Sequence, residues 1–132
     1  MTNPRLALRV TPWRLAVCRF PADSALPAWV FHAEAEFFSV TRTPTELSVV
    51  CAEDDLPPSV QEHVERDWRA LAVVGPLAFS LTGVVSALTA PLAAAGVPVF
   101  VISSYDTDHL LVKAADFART REILARTFEL VD

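Results

Sequence analysis

Residues Gly75 to Lys113 read GPLAFSLTGVVSALTAPLAAAGVPVFVISSYDTDHLLVK. The run from Val84 to Ala95 is rich in Ala, Leu and Val and closes on Gly96, which suits the left-handed residue that ends a helix. Pro91 inside it lacks the amide a helix interior needs, so a kink or local break is expected there. Val97 to Ser103 (VPVFVIS) has the β-branched and aromatic content of a buried strand, and His109 to Lys113 reads as its hairpin partner. Upstream, Trp68 to Val74 is a strand stopped by Gly75-Pro76. Downstream, Asp116 opens a helix to about Arg126 with Phe117, Ile123 and Leu124 on its apolar side, and Thr127 to Val131 is a last short strand. The resulting order is strand, helix, strand, strand, helix, strand. It predicts a ferredoxin-like split βαβ unit (βαββαβ), an antiparallel sheet with helices on one face, and so the α+β class.

The first half repeats much of this order. Arg14 to Phe20 is a strand ending at Pro21, and Asp23 to Val30 holds a turn or two of helix, with Asp23 or Ser24 as cap and Pro27 near its start. Phe37 to Thr41 and Leu47 to Ala52 form a hairpin turned by Pro44, with Leu47, Val49 and Cys51 on one face. Beyond the acidic stretch Glu53 to Pro58, a short polar helix is expected over Ser59 to Arg66. The last strand of this half is open: Leu6 to Val10 fills it, or Trp68 to Val74 is shared. An offset of 62 lays FSVTRTPTELSVVCAED (Phe38 to Asp54) over FVISSYDTDHLLVKAAD (Phe100 to Asp116) without a gap. The expected organisation is two tandem modules, a divergent one over residues 1–66 and a second over residues 67–132.

Composition bounds the rest. Of 132 residues, 52% are hydrophobic and 20% charged, which suits a packed core and argues against disorder. The net charge of −5 and the lack of any basic run argue against nucleic-acid or anionic-membrane partners. No apolar run is long enough to span a bilayer and no signal peptide is legible, so a cytoplasmic protein is expected. Cys18 and Cys51 both lie in strand-like stretches and read as buried thiols; a disulfide requires that those two strands pair side by side. Trp13, Trp29 and Trp68 are read as anchors of the core or of a dimer contact. His32, His63 and His109 have no metal-ligand spacing, and no nucleophile–base pair or phosphate loop is present. Neither a metal, a cofactor nor an enzymatic activity is expected.

The second half resembles the ACT domain family. The resemblance is carried by the strand, the glycine-bearing loop, the helix ending in Ala-Gly, and the run VPVFVISSYDTDHLLV. Within the family it is similar to small two-module bacterial proteins and to animal arginine sensors, and TRTPTELSVVC (Thr41 to Cys51) carries a weaker likeness in the first half. The resemblance implies two tandem ACT modules and a regulatory protein that holds a free amino acid between modules. It implies ligand contacts from the strand-to-helix loop, Ser80, Leu81, Thr82, Gly83 and Val84. The hairpin is expected to add Ser103, Ser104, Tyr105 and Asp108. Tyrosine stands at Tyr105 where those sensors have phenylalanine, and the loop carries no acidic residue.

The chemistry of these residues suits an amino acid. Unpaired amides at a helix start accept a carboxylate, and Gly83 lets a ligand approach the backbone. Asp108 suits an ammonium through a charge-assisted bond, and Tyr105 offers an apolar ring with a polar tip. Each also has a purely structural reading: Gly83 as the start of the helix, Thr82 as its cap, Asp106 and Asp108 as turn formers. Exposed sheet edges lead to the expectation of a homodimer, with a regulated protein as a further partner. The alternative is an assembly module that serves protein–protein contact and binds no small molecule.

Overall fold

The computed structural model describes residues 5–32 and 34–132. The first four residues of the sequence-defined first module, and Ala33, lie outside them. Seven strands and two α-helices are described: β1 (Ala7–Phe20), β2 (Ser39–Arg42), β3 (Leu47–Ala52), β4 (Val64–Val73), α1 (Val84–Ala94), β5 (Phe100–Ser103), β6 (Asp108–Lys113), α2 (Phe117–Leu124) and β7 (Glu129–Val131). The chain divides into two compact units, residues 13–68 and a discontinuous one formed by residues 5–12 with 69–132. Both β1 and β4 contribute residues to each.

In the discontinuous unit the strand order is β7-β1-β4-β6-β5. β7 lies parallel to β1, with Leu8 opposite Leu130. The β1–β4 pairing is antiparallel, carried by Val74 N–H donating to the Ala7 carbonyl at 2.8 Å, and the Thr11 hydroxyl donates to the Ala70 carbonyl at 2.8 Å. α1 and α2 pack against each other. Their apolar stripes, Val84, Leu88 and Leu92 on α1 and Phe117, Ile123 and Leu124 on α2, meet Leu8, Leu71, Val73, Leu110 and Val112 from the strands in one core. The stripes follow helical spacing and the strand residues alternate, as single-face burial requires.

α1 runs through Pro91 without the expected break. It ends on a Schellman turn: Gly96 has φ +74°, its amide donates to the Ala93 carbonyl at 3.0 Å, and Val97 N–H donates to the Leu92 carbonyl at 2.9 Å. Arg5 closes the end of α2, donating to the carbonyls of Ala125 (2.6 Å), Phe128 (2.8 Å) and Thr127 (3.1 Å).

In the unit of residues 13–68 the order is β2-β3-β1-β4. Its core is Val30 with Leu47, Val49 and Cys51, the face expected from period two, backed by Phe20, Trp29, Val40 and Leu56. Two expectations fail here. Residues 59–66 form turns and the start of β4 rather than a helix. His63, inside that stretch, takes a left-handed φ of 56° that no continuing helix accepts, and Asp67 just beyond it has φ 67°. The helix expected over Asp23 to Val30 is one 3-10 turn, Ala28–Val30, entered at Pro27.

The two hairpins match in construction, but with an offset of 61 and not 62. Arg42 pairs with Leu47 as Ser103 pairs with Asp108, and the turn bonds Thr43 N–H to Glu46 O (2.9 Å) and Ser104 N–H to Thr107 O (2.8 Å) correspond. The 3-10 turns Glu53–Asp55 and Ala114–Asp116 keep the same offset. A one-residue slip inverts every side chain in a strand. The offset of 62 set Val50 over Val112, which face opposite ways, whereas 61 sets the core residues Val49 and Cys51 over Leu110 and Val112.

Cys18 and Cys51 are free and buried on adjacent antiparallel strands. The register, Ala16 opposite Cys51 and Cys18 opposite Val49, makes them diagonal neighbours on one face. A hydrogen bond from Cys51 lowers the pKa of the Cys18 thiol, against the opposing effect of burial, with the Arg66 charge assisting. The same bond, with burial, pushes Cys51 well up.

Candidate functional site

In the discontinuous unit, the loop between β4 and α1 faces the tip of the β5–β6 hairpin across a cleft of about 310 Å³. Seven of the nine residues singled out from sequence line it: Leu81, Gly83, Val84, Ser103, Ser104, Tyr105 and Asp108. Ser80 and Thr82 are exposed and do not line it. Leu77, Ala78, Phe79, Val85, Ser86 and Thr107 also line the cleft and were not anticipated, and Asp106, read from sequence chiefly as a turn former, lines it as well. Phe79 was legible only as an apolar loop residue, because nothing in sequence spacing brings it to a hairpin 26 residues away.

The loop supplies backbone. Gly83 is the residue before α1, with φ +84°, a conformation that costs a side-chain-bearing residue energy. A Cβ built on it would meet nothing within 4 Å, so the glycine is required by its backbone angle and leaves open space above the helix start. Gly83, not Thr82, holds the cap position, and the cap makes no side-chain hydrogen bond. The first intrahelical bond runs from Ala87 N–H to the Gly83 carbonyl at 2.9 Å. The amides of Val84, Val85 and Ser86 therefore have no helical acceptor and carry the positive end of the helix dipole.

The hairpin supplies side chains. The Ser103 hydroxyl donates to Asp108 Oδ1 at 2.6 Å, tying the last residue of β5 to the first of β6. The Ser104 hydroxyl donates to the Thr107 carbonyl at 3.1 Å, inside the turn. Two longer-range bonds fix the tip: the Thr107 hydroxyl donates to the Val73 carbonyl (2.6 Å) and Leu77 N–H to the Asp106 carbonyl (2.7 Å). Gly75 completes the seat, since a Cβ there would lie 2.9 Å from the Asp106 carbonyl oxygen.

The rim is apolar. Phe79 and Tyr105 meet edge to face at 4.8 Å and 85°, yet are 75% and 81% exposed. With Leu81 and Val85 they account for half of the large exposed hydrophobic residues described. Among the described residues, no group of three or more His, Cys, Asp or Glu side chains is placed to hold a metal ion. None of the described helices is long and apolar enough to cross a membrane.

The profile of the ACT domain family matches residues 63–126, and that of an N-terminal domain matches residues 14–59. The human protein CASTOR3P is 31% identical over 138 residues, covering 94% of this chain and 83% of its own. The cytosolic arginine sensor for mTORC1 subunit 1 of Bos taurus is 34% identical over 108 residues. That match covers 75% of this chain and 33% of the sensor, so the chain matches only about a third of the sensor's length. An X-ray structure of an Agobacterium tumefaciens protein shares 37% identity and superposes with a TM-score of 0.86, over 98% of this chain and 94% of that one. The regulatory subunit of aspartate kinase from Thermus thermophilus superposes with a TM-score of 0.66 over 96% of this chain and all of its own, at 14% identity, a likeness of fold alone.

Proposed function

The chain belongs to the ACT domain family, and from this we propose that it is a cytoplasmic regulatory protein that binds a free amino acid in the cleft between the β4–α1 loop and the β5–β6 hairpin. The observation that carries the reading is the pairing of opposite chemistries across one cleft. Uncapped amides at the start of α1 suit the ligand carboxylate, and Asp108, oriented by Ser103, suits the ammonium. A volume of about 310 Å³ is the scale of one small molecule. Leu81, Gly83, Val84, Ser103, Ser104 and Tyr105 complete the contacts; Ser80 and Thr82 are the weakest members of that set, since neither lines the cleft.

The reading includes two ACT-like modules, the inserted unit being the divergent one. It also includes a homodimer in which the exposed Phe79–Tyr105 rim lies against an ACT module of the second copy, so that the ligand is held between modules. Ligand binding then favours one arrangement of copies over another, and a regulated protein partner reads the difference. The name of one relative, a cytosolic arginine sensor, supports a regulatory role over a catalytic one. The same exposed rim also suits an assembly module with no small-molecule ligand.

A thermal-shift screen against the twenty amino acids separates the two. Selective stabilisation by one amino acid, lost in Asp108→Ala, is the expected result. A melting temperature that no amino acid moves sinks the sensor reading and leaves the assembly module.

A further inference from the structure

We propose that the chain takes one amino acid, not two, because Arg42 occupies the cleft of the inserted unit that corresponds to the ligand cleft; this rests on the sensor reading above. The offset of 61 identifies the counterpart residues. Arg42 stands where Ser103 does, and Leu47 stands where Asp108 does. In residues 13–68 the strand followed by a loop is β1, and Arg42 reaches from the hairpin tip across to that loop. Its Nη1 donates to the Ala22 carbonyl and its Nη2 to the Ser24 carbonyl, the latter at 2.5 Å. The planar fork thus satisfies two loop carbonyls from one hairpin residue.

The other two elements of a ligand site are also replaced. Leu47 is fully buried in the unit's core, so the position that offers a carboxylate in the other hairpin offers none here. The loop leads into a three-residue 3-10 turn, so no α-helix start presents its amides. A different cleft of about 290 Å³ in the same unit has two pairs of its polar side chains joined across it. Trp13 Nε1 donates to Glu36 Oε2 at 2.7 Å, and His32 Nε2 and Asp55 Oδ2 lie 2.7 Å apart. The inserted unit carries its own cation where its counterpart is open to a ligand.

The test combines stoichiometry with hydrogen exchange. Calorimetric titration of the wild-type chain with L-arginine, L-leucine, L-phenylalanine and L-aspartate should give one site per chain for any that binds; two sites overturn the proposal. Hydrogen exchange is then compared between wild type and Arg42→Gln. Amides of residues 22–26 should exchange about tenfold faster in the variant, with residues 75–108 unchanged. Equal exchange in the two proteins overturns the role of Arg42. If none of the four amino acids binds and the full thermal-shift panel is also silent, the sensor reading fails, while the exchange result still decides whether Arg42 holds that loop.

Discussion

Ser103 and Asp108 face each other as the closing pair of the β5–β6 hairpin, and the serine hydroxyl donates to the aspartate at 2.6 Å. The bond aims one carboxylate oxygen and leaves the other available to a ligand. Asp108→Asn keeps an acceptor for Ser103 and removes the charge. A charge-assisted bond contributes about 1.5–3 kcal/mol, so amino-acid affinity should fall roughly 10- to 150-fold with little change in the unliganded melting temperature. Titration calorimetry reads the first and a thermal melt the second; unchanged affinity would remove Asp108 from the site.

Gly75 acts on the same hairpin from behind. A methyl group there would meet the Asp106 carbonyl oxygen at 2.9 Å and the Thr107 Cβ at 3.2 Å, both on the tip and neither a flexible end. Gly75→Ala should cost about 1–3 kcal/mol of stability, as overpacking does, and also weaken ligand binding by displacing Asp108. Denaturant melts and the ligand-induced thermal shift would both register it. Loss of stability with full ligand response would show that the tip tolerates the displacement.

Thr120 lies on the buried side of α2, and its hydroxyl has no hydrogen-bond partner among the described residues. Burying an unsatisfied hydroxyl costs about 1–3 kcal/mol, and valine matches threonine in shape. Thr120→Val should therefore leave stability unchanged or raise it, whereas Leu88→Ala, in the same core, should lower it by about 2–5 kcal/mol. A destabilised Thr120→Val would mean the hydroxyl is bonded after all.

The acidity of Cys18 depends first on the hydrogen bond from Cys51, with burial opposing and Arg66 assisting. Cys51→Ala removes the largest lowering influence and leaves burial in place. The Cys18 pKa should rise above its wild-type value, seen as a shift of the ultraviolet thiolate titration to higher pH and slower alkylation at fixed pH. A titration that stays put would show that the two thiols are not bonded to each other.

Much of the fold followed from local pattern. The stretch from Val84 to Lys113 was legible because its helix carries a glycine stop and its strands are dense in β-branched and aromatic residues. A motif pointed to Ser103, Ser104, Tyr105 and Asp108, which line the cleft, while Phe79, which lines it too, was not singled out, since its place depends on a loop path that no periodicity encodes. Ser59 to Arg66 misled because its polar, charged composition suits a surface helix, while His63 takes a left-handed angle and its carbonyl accepts from Arg19 N–H of β1. The repeat was seen at the wrong offset because identities between apolar hairpins count residue types, and only the register of pairing tells which face each residue takes.

Residues 5–12 and 127–131 belong to one unit, joined by the Leu8–Leu130 pairing and by Arg5 on the end of α2. During synthesis these partners leave the ribosome more than a hundred residues apart. The inserted residues 13–68 are complete about halfway along the chain, so they can close first while β1's opening residues wait. The unit that bears the cleft is thus completed only when Glu129 to Val131 emerge. A nascent chain stalled before them would leave β1 without its pairing partner at Leu8.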